Sequence, residues 1–495
     1  MRRLLRELPD AGPAMADAMH YAVVVTPWLG SSVPWFTLVV GALLASRQCR
    51  VTFVLDDSPI GDNLLRYRFV LQCLRRVLAV VSDRHAVFEL SKSGPRLALE
   101  YDDLAAIDHL ARLNATWTFR GEMLETGREA WVRQCVAQLT AAYGPIKSLL
   151  RPGAFDAVFV PGGVMATSGL WVRSARAAGI RVSTFDNGGY GALMLACDGV
   201  ACQLQDIPRA FVQIKQRCED PVEREQVLAA ARTEMAMRRA GTDKFISQVQ
   251  GSADADSRFD RAVLIALNSS WDSAALGLHA VYKTNTDWIV ETVRFLLEKT
   301  TAPVIVRQHP AERLELARTT DDYRSLLALH FGSNPRLHFV AAEEQINSYT
   351  LLEQVIAVVV YTSTIGTEAC ALGKPVITAS SSYYSDLGFV WKATDLEDYE
   401  RLLREAATGR LQVTEAMKHD AHLCYYVTQS CNWIFSEFNP ANFDRWSRVP
   451  LIKWREDFVT QRIFYSLVNN VPVALLNHLN KVSTNQAGID DASTI

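Results

Sequence analysis

The sequence predicts an α/β protein of two domains, each built on a mostly parallel sheet. Three observations carry that expectation. Residues 355–379, VIAVVVYTSTIGTEACALGKPVITA, read as buried strand, polar loop, short helix, glycine stop and second buried strand, and two short apolar runs joined by a helix make a βαβ unit. The same order of elements recurs over residues 21–57 and 156–187. The length, 495 residues, exceeds what one hydrophobic core usually serves.

Composition narrows the class. A hydrophobic content of 49% with 21% charged residues excludes a largely disordered chain. The net charge of -3, with Lys and Arg scattered and no basic stripe interleaved with aromatics, gives no footprint for nucleic acid. Nine Cys, odd in number and without a CxxC pair, predict reduced core thiols in a cytoplasmic protein. The His residues show no HExxH or clustered ligand spacing, so no metal site is expected. No charge falls between Tyr21 and Ser46, long enough to cross a bilayer on count alone. TPWLGSSVPW interrupts that stretch, so it reads as strand, loop and buried helix. The basic start MRRLLREL is broken by Glu7 and Asp10 and is not read as a signal peptide.

In chain order, strand Tyr21–Val25 leads through a loop into helix Trp35–Ser46 and strand Val51–Leu55, with Asp56 and Asp57 at its tip. There is no GxGxxG, so a dinucleotide site has little support. Trp28, Ser31, Ser32 and Trp35 suit a sugar or other polyol, or simply cover the sheet end. Ser31, Ser32 and Asp57 are the acceptor-side candidates. Residues 64–150 read as mostly helical, with VFEL and RLALEY as short strands. A strand over 156–160 runs into PGG, helix Ser168–Ala178 and strand Ile180–Phe185, and then Asp186-Asn187-Gly188-Gly189. Asp186 at a strand's carboxyl end can serve as general base for an acceptor hydroxyl; the same four residues are strong turn formers. Residues 203–258 are helical and charged, and GSADADS is the most linker-like run. The expected division is therefore 1–240, a linker at 241–258, a second domain at 259–440, and C-terminal helices with a frayed tail at 441–495.

The second domain opens on strand Val263–Leu267 with exit loop Asn268–Asp272. Helix Asp287–Glu298 and strand Pro303–Arg307 follow, leading into Gln308-His309-Pro310-Ala311-Glu312. Pro310 fits a first helical position, which puts His309 at a strand-to-helix junction. After helix Asp321–Phe331 and strand Leu337–Val340 comes the loop Ala341–Asn347, and then the βαβ unit. Four strand ends thus deliver loops to one edge, the convergence expected of a ligand site. Thr362–Thr364 can hold a phosphate at the helix start or merely cap the helix. Glu368 lies one residue too late for a capping box, and its carboxylate can accept hydrogen bonds from sugar hydroxyls. Arg307 can neutralise an anion or pair with a carboxylate. Residues 414–440 read as helical and aromatic. The tail Trp454–Leu479 can dock on a membrane or a partner, or pack back across the domain interface.

As an ordered set, residues 264–310, HPAE, NSY, YTSTIGTEACALGKPVI and SYYSDLGF resemble the capsular-polysaccharide biosynthesis family, which includes capsule and O-antigen Kdo transferases of GT-B type. The resemblance implies two Rossmann-like domains facing a cleft, with C-terminal helices. It implies a metal-independent glycosyltransferase moving a sugar from a nucleotide-sugar donor, CMP-linked and Kdo-like among the choices, onto a surface polysaccharide or glycolipid. His309-Pro310 matches the HP motif of CMP-sugar-using transferases, Ser363-Thr364 the paired hydroxyls that hold donor phosphate, and Glu368 the acid of GxEAxxxGKP. Asn268, Ser270, Arg307 and Glu312 complete the donor-binding candidates, and Asp186 and His309 are the catalytic ones. The nucleotide-sugar is then a co-substrate and no separate cofactor is implied. A cytoplasmic enzyme at the inner face of a membrane is expected. The alternatives are a nucleotide-sugar epimerase of the same fold, or a non-catalytic nucleotide- or sugar-binding assembly partner.

Overall fold

The computed structural model describes residues 2–7, 18–28, 31–59, 64–92, 97–123, 127–188, 191–243, 257–315 and 317–492. The chain forms two compact units: Met1–Asn114 with Glu129–Ala210 and Cys431–Ile495, and Ala115–Arg128 with Phe211–Ser430.

The first unit is built on β1 (His20–Val25), β2 (Arg50–Leu55), β3 (Ala86–Glu89), β4 (Ala157–Pro161), β5 (Arg181–Asn187) and β6 (Leu193–Ala196). Their order is β3-β2-β1-β4-β5-β6, parallel throughout except for the antiparallel β5–β6 edge. β1 lies at the centre, with Val23 paired to Phe53 on one side and Phe159 on the other. Such strands read as unbroken apolar runs because helices cover both faces. The helix Val33–Ser46 is buried nearly all round, as a helix without a polar face must be. At Gly41 a side chain has no room, since a Cβ would lie 2.5 Å from the Phe53 ring.

The second unit carries β7 (Val263–Ala266), β8 (Val304–Arg307), β9 (Leu337–Val340), β10 (Ala357–Val360), β11 (Val376–Thr378) and β12 (Trp391–Lys392). All are parallel, in the order β12-β11-β10-β7-β8-β9. Counted from β7, this repeats the order of the first unit. Both are therefore Rossmann-like sheets, as expected, with a reversal of winding between β1 and β4 and between β7 and β10. Ligands of open α/β sheets bind outside the carboxyl ends of strands at that reversal.

The unit boundaries differ from the expected 1–240 and 259–440. The helix Pro221–Arg239 packs on the helix Glu415–Tyr425, and Lys215 pairs with Asp420 at 2.6 Å, so this stretch joins the second unit. Residues 115–128 join it too. The Asp321 carboxylate accepts from the Glu122 and Met123 amides at 2.9–3.0 Å, and Glu122 in turn accepts from the Asn285 and Thr286 amides. Most of the expected linker, residues 244–256, lies outside the described residues. The expected C-terminal helices are no appendage: Trp446 and Trp454 are fully buried in the first unit's core with Phe36, while the end of the expected frayed tail, residues 493–495, lies outside the described residues. The tail Trp454–Leu479 thus packs within the first unit. The described residues of RLALEY, 97–101, form no strand. Its Tyr101 opens the helix Tyr101–Phe119, whose first turn carries Asp102 and Asp103 and whose Asp103 accepts from the Glu100 amide at 3.0 Å. Acids there favour a helix start. Among the described residues no helix is long and apolar enough to cross a membrane.

Candidate functional site

The loops that leave β7, β8 and β10, together with the turn after β9, close around one pocket of the second unit. It encloses ≈ 620 Å³ of empty space, open mouth included. Ala266 and Leu267 form its floor. Arg307 to Pro310 form one wall, Ile346 to Tyr349 another, and Ser363, Thr364, Ile365 and Glu368 a third; Arg238 reaches in from the helix Pro221–Arg239.

Arg307, the last residue of β8, is 2% exposed. Its guanidinium donates to the Ala341 carbonyl and, at 3.1 Å, to the Ile346 carbonyl, while Nε has no hydrogen-bond partner. Burial lowers its pKa to about 10, with the more distant Glu344 and Glu343 opposing. It therefore remains a cation at neutral pH, and among the described residues no carboxylate pairs with it. Of the two roles open from sequence, pairing with a carboxylate is the one the geometry removes. A buried charge without an ion-pair partner is costly, and an anionic ligand in this pocket would relieve it.

His309 follows the strand end in extended conformation and caps the short turn Pro310–Arg313, its Nδ1 accepting from the Ala311 amide at 3.2 Å. Burial, with Arg238 and Arg307 adding to it, holds its pKa down to about 4. The ring is thus neutral at physiological pH. With Nδ1 an acceptor, Nε2 carries the proton, and a neutral donor is placed beside a fixed cation.

Thr364 is the N-cap of the helix Ile365–Ala371, yet its side chain makes no capping bond. The capping reading therefore does not account for its hydroxyl, which lies with Ser363 on the pocket wall. Glu368, 4% exposed on the same helix, accepts from the Tyr349 hydroxyl. Burial pushes its carboxyl up, and Arg238 and the Tyr349 bond oppose that shift. Tyr384 holds the loop from behind, its hydroxyl donating to the Ser363 carbonyl at 2.7 Å.

Five of the donor-side candidates, Arg307, His309, Ser363, Thr364 and Glu368, are thus brought together; three others are not on the pocket wall. Asn268 accepts from the Thr362 amide at 3.3 Å and ties two loops together. Ser270 is fully buried and donates to Asp321 at 2.7 Å. Glu312, 1% exposed, accepts from Gln308 Nε2 at 2.7 Å and so positions a wall residue. In the first unit, Ser32 donates to the Pro440 carbonyl and Ser31 accepts from the Val33 amide. Asp57 is taken up by the Ser91 amide and hydroxyl and by Arg75. Asp186 is not in a turn: it pairs with Met194 across β5–β6, and its Oδ1 accepts from the Asn187 amide at 2.7 Å.

Sequence reasoning missed Arg238 and Tyr349. Tyr349 sits in the NSY motif, which was noted without a role for the tyrosine. Arg238 had no local signal: it lies in a charged helix, and only the packing of that helix on the second unit brings it to the pocket.

Residues 221–423 match the family model described as Capsule polysaccharide biosynthesis protein. The matched segment falls within the second unit. The match begins at Pro221 and so takes in the helix that brings Arg238 to the pocket. Among solved structures, Thermosulfurimonas dismutans KpsC, beta Kdo 2,4 transferase, is similar at 18% identity, over 55% of this chain and 80% of that one, with a TM-score of 0.37. The beta Kdo 2,7 transferase of the same KpsC is similar at 17% identity, over 53% and 83%, with a TM-score of 0.30. A putative UDP-N-acetylglucosamine 2-epimerase from Listeria monocytogenes is similar at 12% identity, over 93% and 98%, with a TM-score of 0.25. No curated protein matches the chain.

Proposed function

We propose that the chain is a glycosyltransferase that binds a nucleotide-sugar in the second unit and moves the sugar onto a surface polysaccharide or glycolipid. The buried Arg307, which forms no ion pair among the described residues, beside the Nε2-protonated His309 carries this reading. A fixed cation and a neutral donor suit the linking phosphate of such a donor, and they gain strength as charge develops on the leaving group. Ser363 and Thr364 donate to the same phosphate, and Glu368 accepts from a ribose or sugar hydroxyl. Asp186 is the proposed base for the acceptor hydroxyl. A CMP-linked, Kdo-like sugar is the proposed donor, and the cytoplasmic face of a membrane the proposed place of action.

Thermal-shift titration with CMP, UDP, GDP and CDP, followed by assay of acceptor-dependent nucleotide release, tests the reading. One nucleotide should stabilise the chain, and release should require an acceptor glycan. Turnover of a nucleotide-sugar with no acceptor present would assign an epimerase instead. Binding without turnover across a donor panel would leave a non-catalytic binding protein.

A further inference from the structure

The helix Leu64–Leu78, LLRYRFVLQCLRRVL, contains four arginines and no acid, although the chain as a whole is net negative at -3. Leu71, Leu74, Val77 and Leu78 bury one face in the first unit's core. Leu65, Phe69, Gln72 and Arg76 recur at helical spacing on the opposite face. Leu65 is 81% exposed and Phe69 70% exposed, values that a helix face made only for water does not call for. Arg66, Arg68 and Arg76 are exposed around them. Arg75 is taken up by Asp57 and Glu89, whereas Arg68 and Arg76 form no ion pair among the described residues. The helix begins just beyond the end of β2 and returns to the parallel β3, so its first turn, with Leu65, lies toward the carboxyl edge of the sheet.

We propose that this helix face seats the protein on an anionic lipid bilayer, with Leu65 and Phe69 entering the headgroup region and Arg68 and Arg76 facing lipid phosphates. Charge complementarity selects the occupant: an apolar pair on one helix face with Arg68 and Arg76, which form no ion pair among the described residues, matches an interfacial amphipathic helix. The inference is independent of the donor pocket, and its test reads lipid binding and not turnover.

Flotation of the full chain with vesicles of equal parts phosphatidylcholine and phosphatidylglycerol tests it, against vesicles of phosphatidylcholine alone. Binding should require the anionic lipid and weaken as salt rises. The pair Arg68→Gln and Arg76→Gln should lower partitioning on the order of thirtyfold at low salt. The pair Leu65→Ser and Phe69→Ser should abolish flotation, with the thermal midpoint and nucleotide-induced stabilisation unchanged. Wild-type chain that fails to float, or variants that float as it does, would overturn the proposal. Self-association that Leu65→Ser and Phe69→Ser abolish, without vesicle binding, would overturn it and assign the face to a second copy.

Discussion

His309 works as a neutral donor because three features agree: burial, two neighbouring guanidiniums, and an amide that occupies Nδ1. Its folded pKa is depressed from 6.5 to about 4. The stability it contributes is therefore complete above pH 6.5 and is lost as pH falls through about 4. Nitrogen-detected NMR should show the Nε2-protonated ring persisting to below pH 5, and titration near 6.5 would contradict it. His309→Ala should weaken nucleotide binding by about 2 kcal/mol, the scale of one hydrogen bond to a charged group, with the thermal midpoint as control for folding. Glu312 acts in the opposite window. Burial raises its carboxyl from 4.5 to about 7. The stability this contributes is present below pH 4.5 and lost as pH rises through about 7. Chemical denaturation between those limits should show wild-type stability falling with pH, and a flatter profile in Glu312→Gln. These side chains differ in how far the sequence revealed them. His309 stands out by its place before Pro310, whereas its protonation state depends first on burial and then on Arg238, which is distant in sequence.

At the scale of elements, the helix Ile365–Ala371 is positioned by Gly366 as much as by its apolar residues. A Cβ at Gly366 would lie 2.7 Å from the Tyr384 hydroxyl, which braces the Ser363 carbonyl. Gly366→Ala should therefore cost roughly 1–3 kcal/mol, as overpacking does, and should lower nucleotide affinity more than an equally destabilising change in the first unit. Paired denaturation and binding measurements separate the two effects. The strand-loop-helix rhythm around this element was legible because β10 and β11 are short, continuous apolar runs. RLALEY misled because its alternating apolar residues mimic a strand, while the acids that start a helix there, Asp102 and Asp103, follow it in sequence. The sequence predicts helix over 414–440, but the helical stretch ends at Cys431 and Ile434 pairs with Leu193.

Across the whole molecule, the chain passes between its two units four times, and the last passage returns residues 431–495 to the first. A chain ending at Asn439 would lose Trp446 and Trp454, both fully buried against Phe36. Burial of such a ring is worth about 3–5 kcal/mol when lost, so this truncation should leave the first unit unfolded; proteolysis would then degrade it while the second unit survives. A resistant first unit in that truncation would show the C-terminal helices to be dispensable. The sequence by itself determined two Rossmann-like sheets and the loops that meet at the edge of the second, because strand burial and helix starts are written in short-range patterns. Only the tertiary structure decided which unit each segment serves. It carried residues 115–128 and 221–239 to the second unit and 431–495 to the first. Membership depends on which distant side chains satisfy a buried charge or fill a core, and no local pattern records that partner.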